Sequence, residues 1–308
     1  MYNEEKVVFL YAEEMLKVIK QLEAKCDCEV IFVHDGAKDN TLQKMYEVQS
    51  KYPDYFGVVD LSRNFGLEGA VHAGLKTAKG DAVVVMDADL QDPPSLILEM
   101  VKKWEAGADI VVASREARTN DGFFKRTSAN LYYKVLDALS GKLKLEKNAA
   151  NYRLLSRKAV DQLLELPEVN TYFRVDVPFI GMKTDKVLYN RAERAAGTTN
   201  YDLVKLIRCA LDGLTSISIE PLRKLALFIP VSGLLFLIFI VLIFVCDEEL
   251  SIIMAVLSVI SFFFFLLFVA LFIISEYIAQ IMMETRHRPT SIIYNYKPSN
   301  KSKENGIC

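Results

Sequence analysis

Two long uncharged runs near the C-terminus constrain the fold of this chain more than any other feature. They cover residues 227–246 and 252–275 of 308, and the short acidic segment 247–251 separates them. Each run has about 20 or more residues, which is enough for a helix to cross the hydrocarbon core of a membrane. The pattern therefore predicts two transmembrane helices, within residues 225–277, that form a hairpin.

Positive charges on both sides of the hairpin predict its orientation. They are Lys205, Arg208, Arg223 and Lys224 before it, and Arg286, Arg288, Lys297, Lys301 and Lys303 after it. Because positively charged flanks stay in the cytoplasm, both ends should be cytoplasmic and the acidic turn outside. The start of the chain does not have a signal-peptide pattern. We expect a multi-pass protein of the plasma membrane.

Two further segments complete the predicted C-terminal half. Residues 203–214 repeat apolar side chains at helical spacing, which indicates an amphipathic helix on the membrane surface within residues 201–224. A helix packed on the soluble domain is the alternative. Residues 278–308 are predicted to be a cytoplasmic tail, which is polar and mobile after Tyr296.

The composition excludes several classes of function. Lys and Arg total 37 against 39 Asp and Glu, so no strong positive charge indicates a nucleic-acid partner. The 5 cysteines have the spacing of neither a disulfide framework nor a zinc site, and the 3 histidines form no cluster in the sequence.

Residues 1–200 alternate helical and strand patterns, which predicts an α/β domain with a mostly parallel sheet covered on both faces. Ligands of such sheets bind outside the carboxyl ends of the strands. The apolar run Ala82–Met86 leads there directly into Asp87 and Asp89, and Pro93 and Pro94 follow. Because two acids at a buried strand end are costly without a cation, they indicate a divalent ion that bridges substrate phosphates. A solvated acidic turn is the alternative.

Polar residues also follow two other predicted strands. Asp35 and Gly36 come after the strand 30–33, where an acid can hold a base or ribose, while Asp39 or Asn40 suits the start of the next helix equally well. Arg63 follows the strand 57–61. It could meet a phosphate with two hydrogen bonds or lie on the surface.

Six motifs in this order resemble the membrane-bound polyprenyl-phosphate glycosyltransferases of glycosyltransferase family 2, relatives of dolichyl-phosphate mannose synthase with a Rossmann-like GT-A fold. The resemblance covers nearly the whole chain. The motifs are Tyr2-Asn3-Glu4-Glu5, Asp35-Gly36, Ser62-Arg63-Asn64-Phe65-Gly66, Asp87-Ala88-Asp89-Leu90-Gln91-Asp92-Pro93-Pro94, Tyr152-Arg153-Leu154 and Arg191-Ala192-Glu193-Arg194.

The resemblance implies metal-dependent, inverting transfer of a hexose, commonly glucose, from a UDP-sugar to a polyprenyl phosphate such as undecaprenyl phosphate. It implies Mg²⁺ or Mn²⁺ on Asp89 and Gln91, with Asp87 at the nucleotide or beside the metal. The other implied sites are Tyr2, Glu4, Asp35 and Arg63 for the nucleotide sugar, Arg115, Arg126, Arg153 and Arg194 for the phosphates and acceptor, and Asp89, Asn151 and Arg194 for catalysis. A homo-oligomer through the hairpins is also expected.

The sequence departs from the family's pattern in four places. An apolar strand, interior to the sheet, usually precedes the Tyr-Asn-Glu motif, and here Met1 stands before Tyr2. His34 and Asn151 each replace an aspartate, and residues 197–200 replace Gly-Glu-Ser-Lys. These departures favour, as an alternative, a non-catalytic homologue that serves as a membrane-anchored binding or partner protein. An enzyme for another acceptor, a diacylglycerol or a polysaccharide, is a third hypothesis; a processive synthase is disfavoured, because a Gln-x-x-Arg-Trp motif is missing.

Overall fold

The structure is a computed structural model, and it describes residues 1–115, 149–168, 171–189 and 249–304. Strands and helices alternate through the first part of the chain, as predicted. The strands are β1 (Val30–His34), β2 (Phe56–Leu61), β3 (Ala82–Val85), β4 (Ile110–Arg115), β5 (Ala149–Ser156), β6 (Thr184–Tyr189) and β7 (Ile293–Lys297). The helices are α1 (Val8–Leu22), α2 (Thr41–Lys51), α3 (Gly66–Thr77), α4 (Ile97–Glu105), α5 (Arg157–Leu164), α6 (Phe173–Phe179), α7 (Glu249–Thr285) and α8 (Asn300–Glu304).

The seven strands form two mixed sheets, with the orders β1-β2-β7 and β3-β5-β4-β6. Strands β1 and β2 are parallel, as are β4 and β6, whereas β2–β7, β3–β5 and β4–β5 are antiparallel. The α/β class is confirmed, but the strand directions correct the prediction of a mostly parallel sheet. A strand–helix–strand crossover such as β1–α2–β2 makes its strands parallel, while β7 enters after α7 and pairs in the opposite direction.

Apolar side chains cover both faces of the second sheet. Along β5, Tyr152 and Leu154 lie in a core with α1 and α4, while Leu155 lies in a separate core with α3, α5 and α6. This division follows from the alternation of side chains along a strand. The predicted covering of both faces is therefore confirmed for this sheet.

Met1 lies on the edge of β1 that β2 does not use. Its amino group donates to the carbonyl oxygen of Val33 (2.5 Å), and its carbonyl oxygen accepts from the N–H of Asp35 (3.0 Å). Bonds to residues i and i+2 of the neighbour are the pattern of a parallel ladder. Met1 thus makes one rung at the position where the resemblance to the family predicts an interior strand.

The segment after α7 pairs with the first sheet, although a polar, mobile tail was expected after Tyr296. Strand β7 pairs with β2, with Tyr296 opposite Val59. Beyond it, the N–H of Asn300 donates to the carbonyl oxygen of Pro53 (2.8 Å). Residues 288–304 accordingly group with the first domain. The polar composition after Tyr296 indicated mobility, but hydrogen bonds such as that of Asn300 attach this segment to the first domain.

Helix α7 spans 37 residues and belongs to a second compact unit. Within the described ranges it is the one helix that is long and apolar enough to cross a membrane, over Phe262–Met282, and its large apolar side chains are exposed, Phe268 at 65%. The predicted first span (227–246), the surface helix (203–214) and the acidic turn up to Glu248 lie outside the described residues.

Candidate active site

The two acids predicted to bind metal lie in the loop that leaves β3. Asp87 and Asp89 are half-buried, and Gln91 is buried. The Oδ1 atom of Asp89 accepts the N–H of Gln91 (3.1 Å), and Leu90 between them has φ = +57°. A leucine in the left-handed region is strained by about 1–2 kcal/mol. Such strain often accompanies functional loops, because the surrounding structure must hold it.

A polar network on the neighbouring strands fixes the next part of this loop. The Tyr189 hydroxyl donates to the fully buried carboxylate of Asp92 and accepts from Arg115 Nε (3.2 Å). The Tyr152 hydroxyl donates to the carbonyl oxygen of Pro93 (3.1 Å). Arg115, predicted to bind a phosphate, therefore also supports the loop, with one terminal nitrogen 3.9 Å from Asp92 Oδ1. The role of Asp92 and Tyr189 was not predicted, because their contact joins residues far apart in sequence.

Asn151 lies on β5, the strand that pairs with β3. The last pair of this ladder is Val85 with Arg153, so Asn151 is two residues from the end of the pairing that leads into the acidic loop. The Oδ1 atom of Asn151 accepts a hydrogen bond from Nε of Arg174 (2.9 Å), at the start of α6. Sequence reasoning missed Arg174, since nothing local distinguishes it from a surface arginine.

Arg153 was predicted to bind a phosphate, but its side chain is buried at 2% exposure. One of its terminal nitrogens donates to the carbonyl oxygen of Phe173 (3.2 Å). The Phe173 N–H in turn donates to the carboxylate of Glu68 on α3 (2.9 Å). Burial raises the pKa of Glu68, the Phe173 N–H lowers it, and the charges of Arg174, Arg153 and Asp87 act on it as well. In this position Arg153 holds α6 against the sheet.

Three of the predicted acids lie around the amino group of Met1. Burial lowers the pKa of this group, and the carboxylates of Asp35, Glu4 and Asp87 oppose that effect. The N–H of Glu4 donates to the hydroxyl of Thr41 (2.9 Å), so the N-terminal loop is attached to the start of α2. Tyr2, at the beginning of that loop, is 41% exposed.

Asp35 has a structural role that the sequence did not indicate. Its two carboxylate oxygens accept the N–H groups of Phe65 (2.6 Å) and Gly66 (3.1 Å) and so cap the start of α3. Burial raises its pKa, and these two hydrogen bonds lower it. Arg63 is exposed, and its guanidinium lies 4.0 Å from the centre of the Phe65 ring.

Near α2, the carboxylate of Asp39 accepts the N–H groups of Thr41 (3.1 Å) and Glu5 (3.2 Å). This contact agrees with the helix-start interpretation of that motif.

His34 is part of the supporting structure. Its Nε2 accepts a hydrogen bond from the N–H of Ala37 (2.9 Å). Nδ1 therefore carries the ring proton and donates to Asp60 Oδ1 (2.7 Å). The replacement of an acid by His34 is therefore satisfied locally by hydrogen bonds.

The negative charges of Glu4, Asp35 and Asp87 all act on the Met1 amino group, while Arg126 and Arg194 lie outside the described residues. No group of three or more His, Cys, Asp or Glu side chains that could hold a metal ion occurs in the described ranges. The donor chemistry of the loop nevertheless fits a hard divalent ion. The loop contains two half-buried carboxylates and a buried side-chain amide, and phosphate oxygens of a substrate would complete the coordination.

Comparison with known proteins identifies the family. Residues 1–164, more than half of the chain, match the model "Glycosyl transferase family 2". The chain is 36% identical over 298 residues to the glycosyltransferase YkcC of Bacillus subtilis (95% of this chain, 91% of the relative). It is 35% identical over 305 residues to the bactoprenol glucosyl transferase of Shigella phage SfV (96% and 97%), and 40% identical over 227 residues to a prophage homologue in Escherichia coli (72% and 72%).

These matches include the acidic loop after β3 and the strands around it, so the resemblance read from the motifs is confirmed. The chain belongs to glycosyl transferase family 2 and is a glycosyltransferase similar to the bactoprenol glucosyl transferases.

Proposed function

We propose that this protein transfers a hexose, glucose in the first instance, from a UDP-sugar to a polyprenyl phosphate such as undecaprenyl phosphate, with inversion at the anomeric carbon. The transfer would take place at the cytoplasmic face of the plasma membrane. The carrying observation is the acidic loop after β3, in a chain aligned over 96% of its length with a bactoprenol glucosyl transferase.

Asp89 and Gln91 would hold Mg²⁺ or Mn²⁺, with Asp87 beside the metal or at the nucleotide. The ion would supply positive charge that stabilises the departing nucleotide diphosphate. The protein fixes this loop through Tyr189, Tyr152 and the bonds they make at residues 92 and 93. Preorganised charge of this kind contributes most when it costs no rearrangement during the reaction.

The acceptor chemistry asks little of a general base. A lipid phosphate is already an anion, so its oxygen can attack without prior loss of a proton. Positioning of the two substrates and screening of their phosphate charges should then dominate the rate. This expectation is compatible with Asn151, which cannot take up a proton, at a position where an aspartate was expected.

Transfer of radiolabelled sugar from UDP-glucose to undecaprenyl phosphate tests the proposal. We expect membranes that contain this chain to form a lipid-linked product with Mn²⁺ and none with EDTA. Asp89→Ala should abolish formation of the product, and Lys158→Gln, at an exposed lysine of α5, should leave it unchanged. Product formation that survives Asp89→Ala would exclude the assigned metal role.

A non-catalytic, membrane-anchored binding protein is the second candidate, and Asn151 is the observation that favours it. If Asn151 is the substitution that prevents catalysis, Asn151→Asp should create transferase activity in a chain that has none. The hydrogen bond from Arg174 to Asn151 argues against this view, because the amide has a defined partner. Measurable transfer by the unmodified chain would exclude the second candidate.

A further inference from the structure

Arg174 combines an anchored guanidinium with exposure to solvent. The residue is exposed, whereas Asn151, which accepts its Nε–H at 2.9 Å, is buried at 4% exposure. Within the described residues, the two terminal nitrogens of Arg174 have no hydrogen-bond partner. A guanidinium held at Nε presents its terminal edge in a fixed direction, and two parallel N–H groups on that edge match two oxygens of a phosphate.

The position of Arg174 connects it with the acidic loop. Its anchor Asn151 is on β5, two residues before Arg153, and Arg153 pairs with Val85 at the end of β3. Glu68 feels the positive charge of Arg174 and the negative charge of Asp87, so all three groups lie in one neighbourhood. Glu68 itself is directed to the N–H of Phe173 (2.9 Å), which leaves the guanidinium of Arg174 without a direct ion pair in the described structure.

The chemistry of the anchor matters for the charge at this position. An amide oxygen accepts the Nε–H without adding a negative charge, so the guanidinium keeps its full attraction for an anion. The anions handled by a transferase of the proposed kind are the diphosphate of its donor and the monophosphate of its acceptor.

We propose that Arg174 binds a phosphate group of a substrate and that Asn151 is the positioning residue that directs it. This inference rests on the proposed function, since that function supplies the phosphate. It also gives Asn151 a role that does not require proton transfer. Which of the two substrates provides the phosphate is decided by the experiment.

The experiment measures kcat and KM for UDP-glucose and for undecaprenyl phosphate with the full chain in membranes. A charge-assisted hydrogen bond contributes about 1.5–3 kcal/mol, so Arg174→Gln should raise the KM of one substrate about 10- to 100-fold. Arg174→Lys keeps the charge but loses the paired geometry, so its KM for that substrate should lie between those of the unmodified chain and Arg174→Gln. Lys158→Gln is the matched control and should match the unmodified chain.

The role of Asn151 is tested by a double-mutant cycle. Asn151→Ala should raise the KM of the same substrate as Arg174→Gln does, and the double variant should show no further rise. Asn151→Asp keeps an acceptor oxygen for Nε and should not reproduce the increase caused by Asn151→Ala. A merely structural role for Asn151 would give additive effects on the KM of both substrates.

Two outcomes separate this inference from the proposed function. If the unmodified chain transfers sugar and Arg174→Gln leaves both KM values within about twofold, the inference is overturned and the function stands. If the unmodified chain transfers nothing, the proposed function fails. Calorimetric binding of UDP and of geranyl phosphate to the purified chain then tests the inference. A tenfold loss of affinity for either probe in Arg174→Gln supports it. Affinities for both probes that equal those of the unmodified chain overturn it.

Discussion

At the scale of single residues, the local sequence predicts the acidic loop well and its supports poorly. Asp87 and Asp89 can be identified from the sequence because an apolar strand and two prolines bracket them. Arg174 cannot be identified in this way, because its anchor Asn151 lies 23 residues away and only the fold brings them together. The departures from the family pattern at Asn151 and His34 were the one feature of the sequence that marked these two positions as unusual. In the structure, both residues have defined hydrogen-bond partners.

Gly36 gives a prediction on stability at this scale. Its φ is +61°, and a Cβ there would lie 2.5 Å from the backbone nitrogen of Asn64. Gly36→Ala should lower the free energy of unfolding by at least about 2 kcal/mol, from left-handed strain and from overlap with backbone. Gly66→Ala is the matched control, because φ is +81° and no atom lies within 4 Å. Equal losses of thermal stability in the two variants would contradict the proposed backbone overlap.

Asp176 on α6 predicts a pH dependence of stability. Its pKa is raised to about 7, mainly by burial and also by the charges of Glu68 and Glu168, while the Tyr172 N–H and Arg153 oppose the rise. The folded-state pKa lies above the unfolded value. The contribution of Asp176 to the free energy of unfolding is therefore fully present below about pH 4 and is lost as the pH rises through 7.

Asp176→Asn removes this titration and keeps an oxygen for the N–H of Tyr172 (2.8 Å). We expect its melting temperature to exceed that of the unmodified chain by a few degrees at pH 8, about what 1 kcal/mol gives, and by less at pH 5. A difference between the two chains that stays constant from pH 5 to pH 8 would show that Asp176 does not titrate in this range.

At the scale of elements, helices and strands that follow each other along the chain were predictable, and long-range pairings were not. Periodicity indicated α1 and the β3 strand because their apolar patterns are local. Strand β7 contains Ile293, Tyr294 and Tyr296, which favour a strand, but it pairs with β2 from the far end of the chain. No local signal indicates which distant strand such a segment pairs with.

Strand β7 therefore gives a prediction about truncation. Deletion of residues 291–308 should remove the β2–β7 pairs and the hydrogen bond from Asn300 to Pro53, and so expose the edge of β2. We expect a clear fall in melting temperature and faster proteolysis of the catalytic domain. Deletion of residues 305–308 is the control, since it leaves these contacts intact. A stable domain after the longer deletion would show that β7 is dispensable.

At the scale of the whole molecule, the path of the chain constrains its membrane topology. Strands β2 and β7 pair in one sheet, although α7 and residues 190–248 come between them in sequence. A chain that leaves a folded domain and returns to it crosses a bilayer an even number of times. We propose that α7 crosses over Phe262–Met282 and that the span predicted from the sequence at residues 227–246 makes the return crossing.

Single-cysteine labelling tests this topology in intact cells, after the native cysteines are replaced by serine. The apolar stretch of α7 is 21 residues, about 32 Å at 1.5 Å per residue, which matches a hydrocarbon core of about 30 Å. A membrane-impermeant maleimide should label Glu249→Cys from outside and Arg286→Cys only after lysis, because positive flanks remain in the cytoplasm. Phe268→Cys should resist labelling in both conditions. Labelling of Glu249→Cys and Arg286→Cys only after lysis would mean that α7 does not cross, and the requirement for a second crossing would then disappear with it.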